Sequence, residues 1–239
     1  MNDSRSPDSR HFVFPSIAFI VGLAVFGLIV RQAVLSAKRL DEFVTVKGLS
    51  EREVAADLAI WPIAFSVGQD DLAALQQEIA KGRGAVQEFL TVQGFDATEI
   101  SQAPPRIQEL TAAKDEEKPR FRYRAGITVL LRSPKVAKVK AAMETCDRLV
   151  QAGLVLQGGD YGSKTQFLFT GLNGIKPGMI QEANQNARKA AEKFAGDSQA
   201  QVGAIKHAVQ GPFEINDVDE SSPDRKIVRV VTTVDFYLK

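Results

Sequence analysis

The stretch RFRYRAGITVLL, Arg120 to Leu131, alternates without a break. Phe121, Tyr123, Ala125, Ile127, Val129 and Leu131 share one face, and Arg120, Arg122, Arg124 and Thr128 share the other. A period of two with one apolar face predicts a half-buried strand. Such a strand belongs to an antiparallel sheet covered on one side and wet on the other. The three arginines read first as that wet face, and second as an anion site.

The same patterning extends outward in both directions. Phe43 to Lys47 predicts a strand that breaks at Gly48, and Leu58 to Val67 a second, with Ala59, Trp61, Ile63, Phe65 and Val67 inward. Pro62 cannot donate to a ladder, so it predicts an edge or a bulge. Asp70 and Asp71 offer a helix N-cap ahead of Leu72, Leu75, Ile79, Val86 and Phe89 at helical spacing, and Gly94 closes that helix. Gly82 and Gly84 weaken its middle by roughly 1 kcal/mol each relative to Ala. A short strand around Ile100, the Pro104-Pro105 interruption and a charged hairpin tip over 112–119 lead into the arginine strand.

Beyond it, Ser133-Pro134 predicts a helix start, with Ser as N-cap and Pro at the first position. Val136, Val139, Met143, Cys146, Leu149 and Val150 form its stripe. Thr165 to Phe169 reads as a short strand, and Pro177-Gly178 leads into a helix over Ile180 to Ala195. Val202 to Val209 reads as a strand and Gly211 to Arg225 as an exposed acidic loop. Ile227 to Leu238 is the last strand, which must pair inside a sheet. The stretches 58–100 and 120–169 read as faint copies of one unit. Strands and helices mix without strict alternation, so the expected class is α+β, with helices on one side of mainly antiparallel strands.

Phe12 to Val30 is 19 residues without a charge, FVFPSIAFIVGLAVFGLIV. As a helix it would extend roughly 28 Å, close to the thickness of a bilayer's hydrocarbon core. A cleaved signal peptide has a shorter apolar run and a better small-residue site than Leu35-Ser36-Ala37. A buried core helix would show a polar face. The reading is therefore one transmembrane anchor. The expected organisation is a short tail over 1–11, the anchor over 12–35 and one domain over 40–239. Arg5 and Arg10 before the run and Arg31, Lys38 and Arg39 after it leave the orientation undecided by charge.

The chain has 30 Lys plus Arg and 29 Asp plus Glu, leaving 25 basic and 27 acidic residues from Leu40 onward. That balance lacks the basic excess of a nucleic-acid binder. Cys146 is alone, so no internal disulfide is available, and its place on an apolar stripe makes it a core residue. His11 and His207 belong to no metal-ligand pattern. Gly158-Gly159-Asp160-Tyr161-Gly162 lacks the phosphate-loop pattern and reads as a turn, and Asp217-Val218-Asp219-Glu220 lacks calcium-loop spacing. Trp61 reads as a core anchor. No catalytic residue, metal ligand or cofactor-binding residue can be named.

Four stretches together resemble the SIMPL (DUF541) family of bacterial envelope proteins. They are Val44 to Gly48; Val54-Ala55-Ala56-Asp57-Leu58-Ala59 running on to Phe65-Ser66-Val67; Tyr123-Arg124-Ala125 with Ile127-Thr128-Val129; and Asn186 to Ala195 followed by Val202-Gly203. Ala56 departs from the proline usual before Asp57. The resemblance covers 43–239. It implies a periplasmic or cell-surface location, self-association into rings or larger assemblies, and links to envelope or oxidative stress, but no catalytic residue. The expected function is that of a non-enzymatic protein anchored in the bacterial inner membrane, its domain periplasmic and homo-oligomeric, without cofactor or nucleic acid. The alternative is an accessory module that binds a small ligand or partner protein through the Arg120, Arg122 and Arg124 face or the acidic 214–224 segment.

Overall fold

The structure, a computed structural model, describes residues 22–32, 42–110, 119–157 and 164–239. Helix α1 covers residues 22–32. It is followed by β1 (Phe43–Ala55), β2 (Leu58–Gln69), α2 (Leu72–Val92), a 3-10 turn (Ala97–Glu99), β3 (Ile100–Gln102), β4 (Arg106–Glu109) and β5 (Tyr123–Ser133). Then come α3 (Val136–Glu144), α4 (Asp147–Gln151), β6 (Val155–Leu156), β7 (Gln166–Leu168), α5 (Leu172–Asp197), β8 (Val202–Asp217) and β9 (Arg225–Leu238). The class is mixed α+β with antiparallel pairing, as expected. The chain divides into two compact units, and β1, α5, β8 and β9 contribute residues to both.

The larger unit comprises Glu51–Met179 and Phe213–Arg229. Its centre is the antiparallel pair β2–β5, in register from Ala59 opposite Ser133 to Gln69 opposite Tyr123. β3 pairs with β5, and β6 pairs with β2, giving the order β3-β5-β2-β6. Each central strand is thus followed by helix and then by a strand that pairs with the other central strand. This is the split βαβ arrangement of a ferredoxin-like βαββαβ unit, and it gives physical form to the faint repeat of 58–100 and 120–169. Ala59, Phe65, Ala125, Val129 and Leu131 are fully buried on the helix-covered face, with Leu75, Val86 and Leu90 of α2 and Val139 and Ala142 of α3 in the same apolar cluster. Trp61 meets Phe89 edge-on, with ring centroids 6.5 Å apart, and is a core anchor as expected.

Local chemistry explains several boundaries. Asp71 caps α2, its Oδ1 accepting the N–H groups of Ala73 at 2.8 Å and Ala74 at 2.9 Å. Gly82 is buried, and a Cβ there would stand 2.5 Å from the Phe65 ring, so the glycine lets α2 close on β2. Gly94, at φ +83°, ends the helix as a left-handed residue. Pro62 lies between the segments of β2 that pair with β7 (58–60) and with β6 (65–66), so its missing donor falls in the interval between them. β2 is an inner strand of its sheet, and beside Pro62 the described residues give no ladder partner on the β6–β7 side.

Other expectations change. β5 starts at Tyr123, so Arg120 and Arg122 precede the strand. The helix after Ser133-Pro134 starts at Val136, two residues late; Ser133 ends β5, and its hydroxyl accepts the Lys135 N–H at 3.1 Å. That helix breaks in two where Thr145 Oγ1 donates back to the Ala142 carbonyl at 3.1 Å. After the break Val150 is 55% exposed instead of joining the stripe, whereas Cys146 still packs, half-buried, against the core. The charged tip over 112–119 lies outside the described residues except Pro119, and so does all of the Gly158–Gly162 turn but its neighbours.

The other unit comprises Met1–Ser50, Ile180–Pro212 and Val230–Lys239. The three-stranded sheet has the order β1-β9-β8, so the last strand pairs inside it, as required. Val230, Val234 and Phe236 of β9 are buried. Val44, Ala187, Ala191, Val234 and Phe236 form this unit's apolar cluster, and a Cβ on Gly48 would collide with the Ala183 carbonyl oxygen of α5. Gly48 therefore does not break the strand: β1 continues to Ala55, and the glycine admits the helix backbone. β8 likewise runs through most of the expected acidic loop, which shrinks to the turn between Asp217 and Arg225.

Residues 22–30 of α1 are exposed on every side, with Leu23, Phe26, Leu28 and Ile29 all more than half exposed. Among the described residues no helix is long and apolar enough to cross a membrane. Residues 12–21 and 33–35 of the expected anchor, the 1–11 tail and His11 lie outside the described residues.

Candidate functional site

Strand β5 and the segment before it carry the arginines singled out in the sequence. Arg122 is engaged within the chain. Its Nε and Nη2 each lie 2.9 Å from Glu109 Oε1, its N–H donates to Asp70 Oδ1, and its guanidinium sits 5.0 Å from the Tyr123 ring centroid. Donating hydrogen bonds to the Glu109 carboxylate raises its pKa. Arg120 lies over the Phe121 ring, and Arg124 is exposed on β5. The arrangement stacks and pairs these groups rather than aiming three free guanidinia at one point.

The acidic segment is similarly committed. Asp217 pairs with Lys226, a lysine only 8% exposed; Asp219 accepts from Ser221 N–H and Oγ; Asp224 Oδ1 accepts from Lys140 Nζ at 2.8 Å. The Lys140 hydrogen bond holds the Asp224 carboxyl below its usual range, and the Ser221 hydroxyl does the same for Asp219. Glu214 and Glu220 are exposed. Among the described residues no three His, Cys, Asp or Glu side chains form a group that could hold a metal ion.

A cleft of about 400 Å³ opens beside this ion pair. Ala55, Ala56, Val136, Ala137 and Ala141 line its apolar part, and Lys140, Glu144 and Asp224 its polar part. The Ala56 N–H donates to the Asp224 carbonyl at 2.8 Å and fixes the turn against the start of β2. Short side chains make the space, and the paired charges border it. It offers binding volume and one ion pair, with no nucleophile beside a base.

The most perturbed carboxyl lies elsewhere in the larger unit, unmarked in the sequence reading. Burial opposes ionisation of Glu99, yet donors from Ser133 Oγ (2.6 Å), the Asp96 N–H (2.8 Å) and Lys135 Nζ (3.0 Å) overcome it and lower the pKa to about 2. Lys135 also reaches Asp96 at 2.9 Å, and hydrogen bonds to Asp96 and Glu99 raise its pKa. The spacing Asp96-x-x-Glu99 is the available sequence signal, half of a capping box. With both Glu99 oxygens directed at neighbouring donors, the cluster fastens the 3-10 turn to the end of β5.

The family model for SIMPL, a protein of unknown function (DUF541), matches residues 44–231. The chain belongs to the SIMPL family. A search of curated proteins found no match. The residues that carry the SIMPL likeness turn out to build the fold. Val44 and Gly48 receive α5, whose Ala187, Ala191 and Ala195 are at most 1% exposed. Ala59, Phe65, Ala125, Ile127 and Val129 fill the larger core. Asp57 accepts the N–H groups of Thr170 at 2.8 Å and Gly171 at 2.9 Å, immediately before α5. These are packing and capping roles.

Proposed function

We propose that this SIMPL protein is a non-enzymatic envelope protein, held by a single N-terminal span in the bacterial inner membrane, whose periplasmic domain self-associates and serves the cell under envelope or oxidative stress. One observation carries the anchoring: α1 exposes Leu23, Phe26, Leu28 and Ile29 together, and residues 22–30 are exposed on all sides within an uncharged run from Phe12 to Val30. A helix apolar all round and uncovered by protein is stable in lipid and costly in water. The resemblance to SIMPL envelope proteins supports the periplasmic orientation and the assembly, and the flanking charge leaves the orientation undecided.

The test is fractionation of cells producing the full chain. The protein should stay in the membrane pellet after alkaline carbonate, and protease added to spheroplasts should digest the domain. Release by carbonate would overturn anchoring, and protection from protease would overturn the orientation. Light scattering on residues 40–239 across a concentration range should give one discrete mass above the monomer. A monomer throughout would remove self-association of the domain.

A second reading rests on the cleft beside Lys140 and Asp224: an accessory module that takes a small ligand at the membrane face. Lys140→Glu should then abolish binding of that ligand in a folded protein.

A further inference from the structure

We propose that the end of the smaller-cored unit from which the chain leaves toward the apolar segment rests on the bilayer surface, with Phe43, Tyr237 and Lys206 seated among the lipid headgroups. The proposal rests on the anchored reading above and adds what the domain does once anchored: it docks at a fixed face instead of swinging on a tether.

Several chain ends meet at this place. β1 starts at Phe43, and the Leu238 N–H at the end of β9 donates to the Glu42 carbonyl at 2.9 Å. Gln201 and Lys239 exchange both backbone hydrogen bonds, at 2.9 and 2.8 Å, which brings the start of β8 to the same end. α5 stops at Asp197, four residues before Gln201. Twelve residues, 31–42, separate Val30 from Phe43. Fully extended they reach about 42 Å, so the end of the unit lies within that distance of the apolar segment.

The side chains gathered there suit a headgroup layer. Phe43 is 44% exposed, Phe194 53% and Ile205 58%. Lys206 Nζ stands 3.9 Å from the Phe43 ring centroid and 5.6 Å from that of Tyr237. Tyr237 has a polar-edged ring and Lys206 a long stem with a charged head, which favour the boundary between headgroups and acyl chains, and the Phe43 ring adds apolar area beside them. A single exposed apolar residue is ordinary. The distinguishing feature is their collection at the end where the chain departs. Glu42, Asp197 and Asp235 lie at the same end, Asp235 accepting from Thr45 Oγ1 at 2.7 Å, so the surface has no large positive excess. The docking is therefore interfacial and does not require anionic lipid.

The experiment uses the full chain in phosphatidylcholine liposomes carrying bromine near the top of the acyl chains, with Trp61 retained as a constant background. Phe43→Trp adds an emitter at the docked end. Leu49→Trp adds one on the same strand, 41% exposed and six residues further on, about 20 Å away. Bromine should remove about half of the emission added by Phe43→Trp and leave that added by Leu49→Trp unchanged. Phe194→Trp, on a different element, should behave like Phe43→Trp, and Lys206→Glu should reduce the quenching in the Phe43→Trp chain. The same values are expected with phosphatidylglycerol added and in high salt. Equal quenching at 43 and 49, or quenching that needs anionic lipid and disappears with salt, would overturn the proposal. A chain that floats with the liposomes but shows no quenching at 43 removes the docking and leaves the anchor. A chain that fails to float removes both.

Discussion

Asp57 and Glu99 are both carboxylates held by several donors, and the difference between them shows what a single residue contributes. Asp57 turns both oxygens on backbone N–H groups that have no intrahelical partner, those of Thr170 and Gly171. Asp57→Ala should cost about 2 kcal/mol in urea unfolding, at the upper end for a lost cap because two charged hydrogen bonds go together. Asp57→Asn retains one acceptor and should recover part of the loss. An Asp57→Ala chain as stable as the parent would remove this account of the signature aspartate. Glu99 makes a pH prediction. Its folded pKa of about 2 lies below its ordinary value of 4.5. The stabilisation is therefore complete above about pH 4.5 and is lost as the pH falls from there toward 2. Glu99→Gln should be less stable at pH 7 and should flatten the stability curve between pH 4.5 and 2. An unchanged slope in that window would assign the acid sensitivity to other carboxylates.

Elements were legible where periodicity and caps agreed, and misread where a distant residue decided. β5 announced itself because Tyr123 through Leu131 alternate, and the odd positions from Ala125 onward are buried in the structure. α2 was bounded by Asp71 and Gly94, both local signals. α5 was cut short in the sequence because Pro177-Gly178 looks like a boundary. The helix starts at Leu172 and includes Pro177, since Asp57, more than a hundred residues earlier, holds its start. Gly48 looked like a strand end for the opposite reason: its role is visible only when α5 is present. Gly82 belongs to the same class, and it yields the prediction at this scale. Gly82→Ala should destabilise by roughly 1–3 kcal/mol through overpacking against Phe65, although alanine is the better helix former. Gly84→Ala, with open space around it, should stabilise by up to about 1 kcal/mol. Thermal melts of the two variants should move in opposite directions. Melts that rise together would mean that α2 does not press on Phe65. The candidate site was less legible than the fold. Arg122, Asp217 and Asp224 were singled out from charge patterns, but their partners Glu109, Lys226 and Lys140 come from other elements or positions that no local pattern marks.

For the whole molecule, the two units differ in how much apolar surface they bury. The larger unit's cluster includes five fully buried side chains from α2 and α3 alone and extends across β2 and β5. Among the described residues the other unit's cluster is Val44, Ala187, Ala191, Val234 and Phe236, two of the five being alanines. Hydrophobic stabilisation scales with buried apolar area, about 25 cal/mol per Å², so the unit built on alanines has the smaller reserve against local opening. β8 stands at the outside of its sheet, and from Ala204 to Gln210 every residue is exposed, Ile205 and Val209 included. Between the Gln201–Lys239 pair and the Val218–Arg225 bond it carries three more residues than β9, so the pairing includes bulges. Bulges, Lys206 and Pro212 on an outer strand all discourage another chain from adding to it. Assembly of the domain is then expected to use surfaces other than this edge. Hydrogen exchange on the full chain in detergent tests the ranking. Amides of β8 should exchange at least tenfold faster than those of β2 and β5, and adding a β-strand-forming peptide that copies 202–211 should not slow them. Equal protection of β8 and β5 would mean that the smaller core is not the weaker one. Protection of β8 by the peptide would make this edge an open one and move the search for the subunit interface back to it.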